Sequence, residues 1–241
     1  MLKLNSKAWD VLLPWKCASQ TVRTRLSGHF SEQHSELFYL NKILNRVRNQ
    51  HHTFSDYLAI SSPQSNRKVA SFVRNPYDRV VSGFIQLCRD ATAIPKFKFS
   101  DPIMRDYISE QVAINTQDII RSGYDVNEWF MRLSPYRILD DSNPTFLLHP
   151  AHFWTHSSGK VVDFLGKVEN FESDFSRLLK FIEIDANLIG KQSVNVSSIS
   201  SNAPGSKPYK HIHLLKKKTI DRINSIFSDD FIYLDYSKID V

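Results

Sequence analysis

"KVASFVRNPYDRVVSGF", residues 68–84, changes its periodicity in the middle. Residues 68–73 are short, β-prone and apolar, the pattern of a buried strand. After Arg74 the chain offers Asn75 as a helix cap, Pro76 for the first helical position and Asp78 where a capping box wants an acid. Tyr77, Val80, Val81, Phe84 and Leu87 then recur at helical spacing and predict the buried face of a helix. A buried strand running straight into a capped helix is the repeating unit of an α/β fold.

Upstream, "LLPWKCASQTVRTRL" (12–26) predicts a second corner of the same kind, with Val11, Leu12 and Leu13 as its strand. Free N–H groups at a helix start, the hydroxyls of Ser19 and Thr21 and the ammonium of Lys16 together favour an anion such as a phosphate. The GxxxxGK[ST] pattern of nucleotide loops is absent, so the stretch alone also fits an ordinary buried strand with Lys16 in water. Leu37, Leu40, Leu44 and Val47 predict a helix over 33–49. "DATAIPKFKFSDP" (90–102) is loop-like, and helical periodicity returns between about 103 and 133. "TFLLH" (145–149) and "VVDFLG" (161–166) predict strands around a Ser-Gly turn, and Phe171, Phe175, Leu178, Leu179 and Ile182 a helix. Residues 192–208 are polar and turn-rich, and a last helix is expected over 215–227.

With 241 residues the chain suffices for one sizeable core, and a single domain over 1–241 is expected. A net charge of +6, with 31 basic residues dispersed among 25 acidic ones, suits an anionic ligand; no nucleic-acid module is present. Sixteen Phe and nine Tyr argue for a packed protein. Two cysteines are too few for a disulfide scaffold or a cysteine metal site. No apolar run approaches the roughly 20 residues that span a bilayer, and "MLKLNSKAWD" lacks a signal-peptide core. The expectation is a soluble, cytoplasmic protein, with a trimmed luminal domain of a Golgi enzyme as the alternative.

The two corners also resemble those of a known family. "WKCASQT" is similar to the P-K-x-G-[ST]-[ST]-[ST] loop of the carbohydrate-type sulfotransferases (sulfotransferase family 2), through Lys16, Ser19 and Thr21. "RNPYDRVVS" is similar to their R-D-P-[YF]-x-R-x-x-S segment through Arg74, Pro76, Tyr77, Arg79 and Ser82. "FLGKVENFESDFSRLL" (164–179) and "IFSDDFIYLDY" (226–236) resemble the family's G-R-x-E-N-[LF]-x-x-D-[LF] and closing Y-x-x-D-F-x-x-[LF]-x-Y segments. The four pieces stand in family order. Ala18 departs from the usual glycine, Gln20 from a hydroxyl residue, Asn75 from aspartate and Lys167 from arginine.

The resemblance implies a P-loop-NTPase-like three-layer sandwich, a central and mainly parallel sheet flanked by helices. It implies 3′-phosphoadenosine 5′-phosphosulfate (PAPS) as co-substrate, without a metal. The loop Lys16, Cys17, Ala18, Ser19, Gln20 and Thr21 would hold the 5′-phosphosulfate, and Arg74 and Ser82 the 3′-phosphate; independently of the resemblance, Lys207, Tyr209 and Lys210, which follow the polar loop, are candidates to close over the nucleotide. Sulfuryl transfer to a hydroxyl of a sugar or small metabolite needs a charge on the leaving phosphate, which suits Lys16, and a base. Histidine titrates near neutrality, and "HHTF" places His51 in the family's H-x-x-F context with His52 beside it. His149, in "HPAHFWTH", is the candidate acceptor contact; Pro150 and the missing acidic partner argue against a zinc site there. A P-loop-like kinase or NTPase and a catalytically inactive relative that binds the desulfated product PAP are the alternatives.

Overall fold

The computed structural model describes residues 1–4, 8–32, 37–61, 66–92, 101–189 and 209–240. In chain order the elements are β1 (Leu2–Leu4), β2 (Trp9–Leu12), α1 (Ser19–Arg25), β3 (Phe30–Glu32), β4 (Phe38–Asn41), β5 (Arg46–Asn49), α2 (Phe54–Ile60), β6 (Lys68–Val73), α3 (Pro76–Thr92), α4 (Pro102–Arg121), α5 (Val126–Arg132), α6 (Pro135–Leu139), β7 (His156–Ser157), β8 (Lys160–Val161), β9 (Phe164–Lys167), α7 (Phe171–Phe181), α8 (Lys217–Ile226) and α9 (Ser228–Tyr233). They form two compact units: Met1–Gln33 with His51–Arg74 and Phe153–Pro208, and His34–Gln50 with Asn75–His152 and Tyr209–Val241.

The first unit is built on a sheet of order β3-β1-β2-β6-β9. β2 pairs in parallel with β6, and β6 with β9, while β1 runs antiparallel to both β2 and β3. Four of its five strands therefore point one way, and the antiparallel ladders are confined to one side. Side chains alternate across a strand, so the buried runs feed two cores. Trp9, Val11, Leu13, Ala70, Phe72 and Phe164 pack against Val22 and Leu26 of the α1 segment and Phe175, Leu178 and Leu179 of α7. Leu12 and Val69 face the other way, onto Phe54 and Tyr57 of α2 and Trp154. Helices on both faces of a mainly parallel sheet give the three layers the sequence leads one to expect.

Two local features fix the α1 layer. Arg25 forks onto Glu172 at 2.7 and 2.6 Å, with its guanidinium 5.1 Å from the Phe171 ring centroid, which clamps α1 to α7. Gly166 of β9 lies beneath the Phe72 ring, where an added Cβ would sit 2.4 Å from a ring carbon. Any larger residue there displaces Phe72 from the core.

In the second unit the β4–β5 hairpin replaces the helix expected over 33–49, of which 33–36 lie outside the described residues. Turn chemistry overrides the leucine spacing. The Asn41 Oδ1 accepts from the N–H groups of Ile43 and Leu44, both at 3.0 Å, and Asn45 takes a left-handed φ of 48°, which asparagine tolerates. Phe38 then packs on Met104 and Ile108 of α4, leaving Leu40 half exposed.

The strand expected at 145–149 is also absent. Thr145 donates its N–H to Asn143 Oδ1 at 2.9 Å, and Phe146, Leu147 and Leu148 are buried in succession through turns. Consecutive burial mimics a strand in sequence. Ser158 and Gly159, both left-handed, do turn a hairpin, but between β7 and β8. The helix after Arg74 forms as expected: Asn75 Oδ1 accepts from Asp78 N at 2.8 Å and its amide donates to the Asp78 carboxylate at 2.9 Å.

Candidate active site

Parallel strands present their carboxyl ends along one edge of a sheet, where α/β proteins bind ligands. In the first unit that edge carries the loop after β2, Arg74 after β6, and Lys167 at the end of β9, on three neighbouring strands in register at Leu12–Ser71 and Val73–Lys167.

The loop has an unusual backbone. Lys16 and Ala18 both adopt positive φ, 64° and 59°. Ala18 caps α1 without a side-chain acceptor, and the first turn of the helix holds no acidic residue. A left-handed residue followed by a right-handed one, as at Ala18 and Ser19, turns neighbouring N–H groups toward one side and forms an anion-binding nest. Cys17 is fully buried and donates its N–H to Pro14 O, Thr21 is buried, Lys16 and Ser19 are half-buried, and Gln20 faces solvent.

Arg25 and Arg67 are engaged with Glu172 and Asp10, whereas the buried Arg74 Nε meets no hydrogen-bond partner among the described residues. A buried N–H donor without an acceptor is costly, and an anion at the end of β6 would satisfy it.

His51 belongs to the same edge. Its Nδ1 contacts the Leu13 carbonyl, its ring stacks on Trp15 with centroids 3.8 Å apart and planes at 28°, and its own carbonyl accepts from Trp154 Nε1 at 3.2 Å. A nitrogen facing a carbonyl carries the proton, so in the neutral ring Nε2 holds the lone pair. Burial pushes the imidazole down to about 3; the Leu13 carbonyl opposes the shift, and the α-amino group of Met1, Arg23 and His52 reinforce it. His52 is buried beside it, and Thr53 closes a capping box with Asp56 that starts α2.

A family model described as the Sulfotransferase family matches residues 15–237. The chain belongs to the sulfotransferase family. No curated protein and no solved structure gave a match.

This sulfotransferase brings Lys16, Cys17, Ala18, Ser19, Gln20, Thr21, His51, His52 and Arg74 into its first unit. Ser82, His149 and Tyr209 fall in the second, and Lys207 lies outside the described residues. Ser82 is buried in α3. His149 is 4% exposed, with Nδ1 and Nε2 each 3.0 Å from a backbone carbonyl, of Ile138 and Asn143; burial lowers its pKa against the pull of those carbonyls. The neutral ring donates its one N–H to one of these carbonyls and is enclosed by the fold. Tyr209 packs edge-on against Tyr77 and donates its hydroxyl to Ser237 O at 3.0 Å.

Trp15 is the residue that motif matching passes over. It stands where the family pattern has proline, and only its distance to His51 reveals it. Among the described residues no group of three His, Cys, Asp or Glu side chains is placed to hold a metal ion, and no helix is long and apolar enough to cross a membrane.

Proposed function

We propose that the protein transfers the sulfuryl group of PAPS to a hydroxyl of a carbohydrate or small metabolite, without a metal. The observation that carries this reading is the pairing of the Lys16 loop with Arg74, whose Nε is unpartnered, at the carboxyl ends of the adjacent parallel strands β2 and β6. Two anion sites on neighbouring strands suit a nucleotide with phosphates at both its 5′ and 3′ positions. The loop N–H groups and the hydroxyls of Ser19 and Thr21 hold the 5′-phosphate, and Arg74 forks onto the 3′-phosphate.

Transfer is an in-line displacement. The acceptor oxygen forms a bond to sulfur as the bond from sulfur to the 5′-phosphate oxygen breaks, and the hydroxyl proton passes to His51 Nε2. Lys16 neutralises the charge that appears on the leaving phosphate, an interaction strongest in the transition state. Calorimetric titration with PAP, in EDTA and then in magnesium, tests the reading together with a screen of hydroxylated acceptors using labelled PAPS. Equal micromolar or tighter binding in both buffers is expected. Binding only with magnesium would favour a kinase or NTPase, and tight PAP binding without transfer to any acceptor an inactive relative.

A further inference from the structure

Among the described residues, Arg23 of α1 and the α-amino group of Met1 disfavour a positive charge on the His51 ring. A base in that setting must acquire a positive charge among positive charges. Two neighbours of opposite character touch the ring, the Leu13 carbonyl at Nδ1 and the π-face of Trp15. An indole face attracts a cation, by about 0.5–2 kcal/mol according to how dry the contact is. Leu13 and Trp15 both lie on the short stretch that leads from β2 into the Lys16 loop.

We propose that Trp15 is a positioning residue for His51: stacked on the imidazole, it holds the ring with Nδ1–H on the Leu13 carbonyl and Nε2 as the proton acceptor, and stabilises the imidazolium formed during transfer. The proposal rests on the sulfuryl-transfer reading. It ties the base to the phosphate loop through a residue one position before Lys16. The leaving-group cation and the proton acceptor are then set by the same stretch of chain, and a shift in one moves the other.

The test uses the full chain with Trp15→Leu, Trp15→Phe and His51→Ala. Three quantities are read: sulfate release from 35S-labelled PAPS with water as acceptor, PAP affinity by calorimetry, and the His51 ring-nitrogen shifts by NMR. Trp15→Leu should slow release about 10-fold, the size of a dry cation–π contact. PAP affinity should change less than about twofold, and the Nδ1–H signature of His51 should be lost. Trp15→Phe keeps a π-face and should retain most of the rate and the signature. Should Trp15→Leu not fold, Trp15→Phe and the wild-type ring-current shift of the His51 protons decide the matter; an unshifted His51 overturns the proposal. Trp15→Leu with an unchanged rate and signature, or with PAP affinity lost in proportion to rate, also overturns it. If release is too slow to measure in every variant, the NMR signature decides. A slow His51→Ala beside an unaffected Trp15→Leu rejects the tryptophan alone, whereas a fully active His51→Ala rejects the base assignment itself.

Discussion

Arg79 and Asp230 are buried together in the second unit, Nη1 of one 3.9 Å from Oδ2 of the other, and neither side chain is more than 1% exposed. Asp230 also accepts from Ala151 N, His152 N and His152 Nδ1 at 2.8, 2.8 and 2.7 Å, while Arg79 donates to the His149 carbonyl. The second arginine of "RNPYDR" therefore serves the fold. It joins that segment to "HPAH" and to the closing "DDF". Removing one partner of a buried pair strands the other charge, so Arg79→Ala should lose about 3–5 kcal/mol in urea unfolding. Asp230→Asn added to Arg79→Met should recover part of the loss. A loss under about 1 kcal/mol accompanied by abolished PAP binding would mark Arg79 as a ligand residue instead.

Arg74 should behave in the opposite manner. Its buried Nε has no partner among the described residues, so Arg74→Ala should leave the stability of the ligand-free protein unchanged or raise it by up to about 1 kcal/mol. PAP affinity should fall about 100-fold, as expected for a lost charge-assisted fork. Adenosine 5′-phosphosulfate, which lacks the 3′-phosphate, should bind both proteins alike. Calorimetry with the two nucleotides separates the outcomes, and equal losses for both would remove Arg74 from the 3′ site.

Which parts of this arrangement were legible depends on how local their causes are. The β6–α3 corner was readable because Asn75, Pro76 and Asp78 act within one turn. The two strand cores follow from alternation in short apolar runs. The β4–β5 hairpin was not readable: Leu37, Leu40, Leu44 and Val47 fit a helix, and only the side-chain bonds of Asn41 and the left-handed Asn45 tip the balance. Likewise nothing in "HPAHFWTH" tells that His149 is enclosed by two carbonyls from residues 6 and 11 positions earlier. Motif spacing pointed to Lys16, His51 and Arg74, but the stacking of Trp15 on His51 joins residues 36 apart in the chain and has no sequence signal (51 − 15).

Ala18 offers a test of the loop itself. A non-glycine residue in the left-handed region costs about 1 kcal/mol, and Ala18 holds φ 59° and ψ 23°. Ala18→Gly, the residue of the family pattern, should remove that strain. Thermal unfolding should rise by a few degrees, equivalent to up to about 1 kcal/mol, reduced by the greater freedom of glycine in the unfolded chain. PAP affinity should be maintained or improved, because the nest geometry is kept. Destabilisation by more than about 1 kcal/mol would mean that Ala18 does not occupy this conformation.

The last prediction follows from the environment of His51, whose pKa burial pushes from 6.5 to about 3. In the folded protein the ring stays neutral, whereas in the unfolded chain it takes up a proton as pH falls below 6.5. The unfolded state therefore binds more protons between pH 6.5 and about 3, and stability falls as pH falls through that window, by about 1.4 kcal/mol per unit from this group. Above 6.5 its contribution is constant. Wild type and His51→Gln, unfolded in urea at pH 7.5 and 5.0, should thus differ in their pH dependence: the drop on acidification should be about 2 kcal/mol smaller in the variant. The same neutrality bears on turnover, because a ring that stays deprotonated imposes no acidic limb on the rate between pH 5 and 8 in the free enzyme. Parallel pH slopes for the two proteins, or a rate that halves near pH 6.5 in wild type and not in His51→Gln, would show that the imidazole titrates normally and is not enclosed as described.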